Sequence, residues 1–198
     1  FYFFLLPIYF EYITSLRNQL WINPMSLKER FNINYLFVNE EDIELLYSER
    51  YGETYRFKRP IEVPKYPGYY LIPNYLNYAL NRGGVVINVL TGKQLKYAID
   101  VSYSGKQTRG YHKIDLTYSR GQQIKTSRHR LLGMVFIPYS QHHKELQINH
   151  INGIPGDDRL DNLEWCTNSE NARHAVDTGL RTKDITTVNV KNILTGEE

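Results

Sequence analysis

Apolar positions along the chain change their period several times, and each change marks an element. Ile43, Leu46 and Tyr47 recur at helical spacing, which predicts a short helix over Asn39–Tyr51, with another over Thr14–Trp21. GVVINVLTGKQLK, residues 84–96, alternates Val85, Ile87 and Val89 before a Thr91-Gly92 turn, the pattern of a hairpin. YHKIDLTY, residues 111–118, alternates as well; SRGQ supplies a turn and QQIKTS returns as a second strand. VKNILTGEE, residues 190–198, nearly copies the first hairpin but stops where its second strand should begin. Residues 183–198 are therefore expected to be weakly held, and the natural protein to continue.

Between the hairpins, punctuation is as informative as periodicity. RPIEVPKYPGYYLIPN, residues 59–74, holds four of the eight prolines and predicts an extended linker or domain entry. SRHRLLGMVFIP predicts a helix with Ser127 as N-cap, Leu131, Leu132, Val135 and Phe136 on one face, and Pro138 as the stop. Then LQINHI predicts a strand, PGDDR a loop and LEWCT a returning strand. TNSENARHAVDTG predicts a short helix, opened by a Thr167/Glu170 capping box and closed by Gly179. Leu132, Phe136, Leu163 and Trp165 are candidate core residues.

Composition changes this picture little. A chain of 198 residues with 41% hydrophobic content can bury a real core. The lone Cys166 excludes an intramolecular disulfide and any paired-cysteine zinc site. The N-terminal FYFFLLPIYF is too short for a spanning helix and lacks the basic flank of a signal peptide, and the absence of an initial Met suggests a processed or partial product. A cytosolic protein is expected.

Charge is regional where the net charge of +3 is uninformative. Residues 39–53 hold six acidic groups against Arg50, whereas residues 105–130 hold seven Lys/Arg against Asp115 alone. All six histidines fall between His112 and His174, so that third of the chain is where chemistry is expected. His142 and His143 sit in an unpatterned stretch and read as solvent-facing.

Three polar residues stand where stability gives them little to do: His150 at the end of a strand, Asn162 before the next, and Asn171 in the first turn of the helix. A neutral imidazole can take a proton from water. A carboxamide oxygen can orient that imidazole or ligate a hard cation. Asn171 and His174, three apart, share a helix face. Simpler uses exist: Asn162 can close an Asx turn, Asn171 can be an ordinary first-turn polar residue, and His174 a cation near a helix C-terminus. Hydrolysis of a phosphodiester needs an activated water, neutralised phosphate charge and a helped leaving group, and a His base with a divalent ion supplies them.

The stretch HRLLGMVFIPYSQHHKELQINHINGIPGDDRLDNLEWCTNSENARHA resembles the HNH endonucleases of phage and mobile introns in the order and spacing of its "HRL", "NHING", "NLEW" and "SEN" segments. The upstream PGYYLIPNYLNYALNRGGVVINVLTGKQLK resembles a nuclease-associated DNA-binding segment. The resemblance implies an α+β protein: a ββα-metal (His-Me finger) nuclease unit preceded by a small β-hairpin DNA-binding segment. It divides the chain into residues 1–60 of unassigned role, a DNA-binding segment at 61–104, a nuclease domain at 105–180, and the start of a C-terminal DNA-binding module at 181–198.

By the same resemblance His150 is the general base, Asn162 orients it, and Asn149, Asn171 and His174 hold a divalent metal, Mg²⁺ or alternatively Mn²⁺. Asn149 stands where relatives often carry Asp, which removes a negative charge. Strict alternation also puts Asn149 and His150 on opposite strand faces. The expected partner is double-stranded DNA, bound by a monomer through Arg109, Lys113, Arg128, His129 and Arg130. The competing expectation is a DNA-binding protein that keeps the fold without cleaving.

Overall fold

A computed structural model describes residues 25–75, 77–100, 110–118 and 121–179. The Thr14–Trp21 helix, the FYFFLLPIYF run, Arg109 and the VKNILTGEE repeat lie outside the described residues. The chain divides into two compact units, Phe1–Glu40 and Glu41–Glu198. In the first, helix α1 (Leu27–Arg30) opens on a reciprocal capping box between Ser26 and Glu29. Lys28 donates to the carbonyls of Tyr35 and Val38 at 3.0 and 2.7 Å, which closes the following loop.

The helix expected over Asn39–Tyr51 is a 3-10 turn (Glu40–Asp42) followed, in the second unit, by strand β1 (Ile43–Ser48), paired antiparallel with β2 (Gly52–Phe57). Cross-strand partners decide against the local spacing. Ser48 pairs with Gly52, whose φ of +73° lets the Glu49-Arg50-Tyr51 loop close, and Glu44 meets Arg56 at 2.6 Å across the ladder.

The proline-rich run 59–74 is not a linker. Ile61 and Val63 are buried, Glu62 bridges to Tyr70, and strand β3 (Tyr70–Leu71) joins β4 (Tyr78–Leu80) and β5 (Val86–Asn88) in a three-stranded sheet. The prolines take positions that need no N–H, so pairing survives around them. The 84–96 hairpin forms, its turn held by Asn88 accepting from the Leu90 and Thr91 amides and its return marked by the Ile87–Gln94 bridge.

The next sheet orders β6 (Ala98–Asp100), β7 (Tyr111–Thr117) and β8 (Gln123–Ser127). Helix α2 (Arg128–Phe136) follows without a break, then β9 (Gln147–His150), β10 (Leu163–Cys166) and α3 (Asn168–Asp177). The capping box at Thr167/Glu170 is present, and Gly179 has a φ of +72° just past α3. Helix α2 was expected to bury one face, but Leu131 through Val135 are all buried because α2 lies between β7–β8 and the β9–β10 hairpin. Gly133 permits the closeness: a Cβ there would overlap the Ile148 side chain and stand 3.2 Å from Trp165. Leu132 and Leu163 belong to this core, with Phe136 and Trp165 packed against it. Among the described residues, no helix is long and apolar enough to cross a membrane.

Candidate active site

The β9–β10 hairpin sorts its side chains by strand alternation. Leu163 pairs with His150 and Glu164 with Asn149, in unbroken register. Ile148 and His150 face α2, where the His150 ring stands 5.1 Å from that of His129. Gln147 and Asn149 face the other way, and Gln147 accepts from the Asn171 amide of α3 at 2.6 Å. His150 and Asn149 therefore act from opposite faces, and no bulge in this ladder brings them together.

On the α2 face, four elements meet at one carboxylate. Asp158, 8% exposed, lies in the β9–β10 loop and accepts from His150 Nε2 at 2.8 Å and from Arg128 Nε at 2.7 Å. Arg128 also reaches the Gly156 carbonyl at 3.3 Å, which fixes the loop that carries Asp158. His129 Nδ1 is 3.9 Å from one Asp158 oxygen and His112 Nδ1 is 4.0 Å from the other. The rings of Tyr111 and His129 stand 5.2 Å apart, and those of Tyr111 and His150 6.0 Å apart.

Burial alone would raise the Asp158 carboxyl, but hydrogen bonds from His150 and Arg128, with the Arg128 charge, outweigh it and hold the group below its ordinary range. It is ionised at neutral pH and offers only acceptor oxygens, so His150 Nε2 is the donor of the 2.8 Å bond. His129 is pushed down to about 4, chiefly by burial, with Asp158 opposing the shift and His150, Lys113 and Arg130 adding to it. It is a neutral imidazole at pH 7. Its Nε2 pairs with Ser127 Oγ at 3.0 Å, so Ser127 holds the N-cap position of α2, as expected, without a side-chain cap bond; its Nδ1 is buried with no hydrogen-bond partner among the described residues.

Asp158 was not singled out in the sequence. Its partners lie 8 and 30 positions away, and only an acid in a glycine-flanked loop returning to a strand end hinted at it. Asn162, expected to orient His150, instead organises that loop: its amide donates to Asn152 Oδ1 at 3.0 Å and to the Asp157 carbonyl at 2.8 Å, and its oxygen accepts from the Asn152 amide at 3.0 Å. The partner of the His150 ring is Asp158. His142 and His143, read as solvent-facing, are 2% and 3% exposed and stack on one another at 4.9 Å.

Two donor sets could hold a cation. His129, His150 and Asp158 offer ligand atoms that all lie within 4.8 Å of one another, and the unpartnered Nδ1 of His129 fits a metal. Asn149 and Asn171 flank the other face. Asn149 donates to the Glu164 carboxylate at 2.8 Å and Asn171 to Gln147, leaving each Oδ1 as the atom offered to a cation. His174 Nε2 stands 3.0 Å from the Ile151 carbonyl. Of the expected DNA contacts, Arg128 is committed to Asp158, and Arg130 to the carbonyls of Leu146 and His143.

Residues 128–173 match the family model of the HNH endonucleases. An uncharacterized HNH endonuclease of Acanthamoeba polyphaga mimivirus is 32% identical over 64% of this chain and 30% of its own length. A second from the same virus is 33% identical over 53% of this chain and 28% of its own. The chain thus spans less than a third of the length of either relative. A solved structure of DNA binding and cleavage by the HNH homing endonuclease I-HmuI is 26% identical, with a TM-score of 0.46, over 58% of this chain and 61% of that one.

Proposed function

We propose, for a chain that carries an HNH endonuclease unit at residues 128–173, that it is a metal-dependent homing endonuclease hydrolysing phosphodiester bonds of duplex DNA in the host cytosol. The observation that carries this is the 2.8 Å pairing of His150 with an ionised Asp158. Asp158 keeps the proton on Nε2, so Nδ1 takes the proton of the attacking water. Asp158 acts through His150 as a positioning residue, and Arg128 fixes Asp158. When bound, a divalent cation supplies a Lewis acid beside the phosphate.

His129 and Asp158 are the favoured holders of that cation, because His129 Nδ1 lacks a partner among the described residues. Imidazole donors favour Mn²⁺ and later first-row ions over Mg²⁺. The Asn149–Asn171 set, with Glu164 beside it, is an oxygen set that suits Mg²⁺. A second reading follows from the 4.8 Å cluster itself, in which His150 is a ligand rather than the base. Nicking of supercoiled plasmid with Mg²⁺, with Mn²⁺ and with EDTA tests the proposal. Metal-dependent nicking is expected. Duplex binding with no nicking in any metal would instead mean a DNA-binding protein that keeps the fold.

A further inference from the structure

Beside the Asp158 cluster lies an open pocket of about 210 Å³ whose cationic lining the hydrolytic chemistry does not use. Lys113 and Lys125 come from the β7–β8 hairpin, Arg130 from α2, and His143 and Lys144 from the loop before β9. Among the described residues, four cations converge and no carboxylate lines the pocket. Among the described residues, none of the four has a carboxylate within ion-pair distance; Glu145, next in sequence, is turned to the Ser48 hydroxyl at 2.5 Å.

The pocket is built rather than incidental. Arg130 is fixed by the carbonyls of Leu146 and His143 and by stacking over Trp165 at 5.6 Å. Lys144 lies over the Tyr118 ring at 5.5 Å. His143 is 3% exposed, yet its Nδ1 has no hydrogen-bond partner among the described residues. Burial, with the charges of Arg130 and Lys144, keeps that imidazole neutral and able to donate a hydrogen bond without a proton of its own being added. Clustered cations with no counter-charge are costly unless an anion joins them. Ser127 lines the same pocket and bonds His129, so an anion held here is one side chain from the catalytic cluster.

We propose that this pocket seats a backbone phosphate of the DNA strand, next to the phosphate that is cut, and so sets which bond reaches His150. The proposal rests on the nuclease reading, but its test is independent of cleavage. Duplex affinity of the full chain is measured in EDTA against salt concentration for the wild type, for Lys125→Ala/Lys144→Ala, and for Arg30→Ala/Lys58→Ala, an exposed pair outside residues 61–130. The pocket pair is expected to flatten the slope of log K against log salt by about two, near 0.9 for each lost contact, while the other pair leaves it unchanged. In parallel, the His143 ring nitrogens are followed by NMR on adding a short duplex or inorganic phosphate, and the duplex is expected to shift Nδ1. An unchanged slope, or equal flattening by both pairs, overturns the proposal. So does a His143 shift given by inorganic phosphate but not by duplex, which would make the pocket a free-phosphate site. A protein that cleaves with an unaltered slope refutes the pocket alone, and one that loses slope without cleaving refutes the nuclease alone.

Discussion

His150 Nε2 and Asp158 Oδ1 meet at 2.8 Å across the β9–β10 turn, both buried and both tied to α2 through His129 and Arg128. In that arrangement the carboxylate fixes the tautomer. A folded His150→Ala protein should lose about 10²–10⁴-fold in single-turnover cleavage while duplex affinity in EDTA stays within a few fold. Asp158→Asn should fall in the same range, because an amide can donate to Nε2 and move the proton to Nδ1. Near wild-type cleavage by His150→Ala would remove His150 from the mechanism.

The two donor sets separate by calorimetry. If His129 and Asp158 hold the cation, His129→Ala should weaken Mn²⁺ binding by at least about tenfold, and Asn149→Ala should leave it unchanged. If His150 is also a ligand, His150→Ala weakens binding equally; if it is the base, metal binding survives that substitution.

Asn149→Asp is a sharper probe of the other face. It places a carboxylate against Glu164, where an amide now donates at 2.8 Å. Like charges at that distance repel, so the variant should melt lower than wild type in EDTA. Recovery of the melting temperature by a divalent cation is expected only if the cation sits at Asn149; no recovery would place it on the His129 side.

Much of the stretch 128–179 is legible because its signals are local. Thr167 and Glu170 are three apart, alternation places Ile148 with His150, and Gly179 marks the end of α3. Asp158 escapes such reading because its meaning lies in Arg128 and His150, brought near only by the closed loop. The β1 strand escapes for the same reason: Ile43 and Leu46 suit a helix until Phe57 and Thr54 pair with them. Cross-strand neighbours are set by tertiary structure, and propensity yields to them.

Gly133 tests the packing of α2 on the hairpin. Gly133→Ala gains helix propensity of roughly 1 kcal/mol but forces a methyl into Ile148 and Trp165, an overpacking cost of about 1–3 kcal/mol. Net destabilisation of about 1 kcal/mol is expected, seen as a lower urea midpoint with an unaltered m-value. A midpoint at or above wild type would mean that α2 and β9 are less closely packed than the 3.2 Å approach to Trp165 implies.

The buried imidazoles set the response to acid. Burial is the main cause that pushes His129 down to about 4 and His143 to about 3, against an ordinary 6.5. Between those values and 6.5 the unfolded chain binds protons that the folded chain does not, so stability rises with pH across that window. The stabilising contribution is complete above about pH 6.5 and is lost as pH falls toward 4 and then 3. Asp158, also held below its ordinary range, adds loss in the same direction at the acid end. His143→Gln removes one of these groups while keeping a polar side chain in the stack with His142, so its stability should fall less steeply between pH 6 and 4 than that of the wild type. Urea midpoints measured across this range check the sign: a wild-type protein equally stable at pH 4.5 and pH 7 would mean that these histidines are hydrated in solution and charge freely.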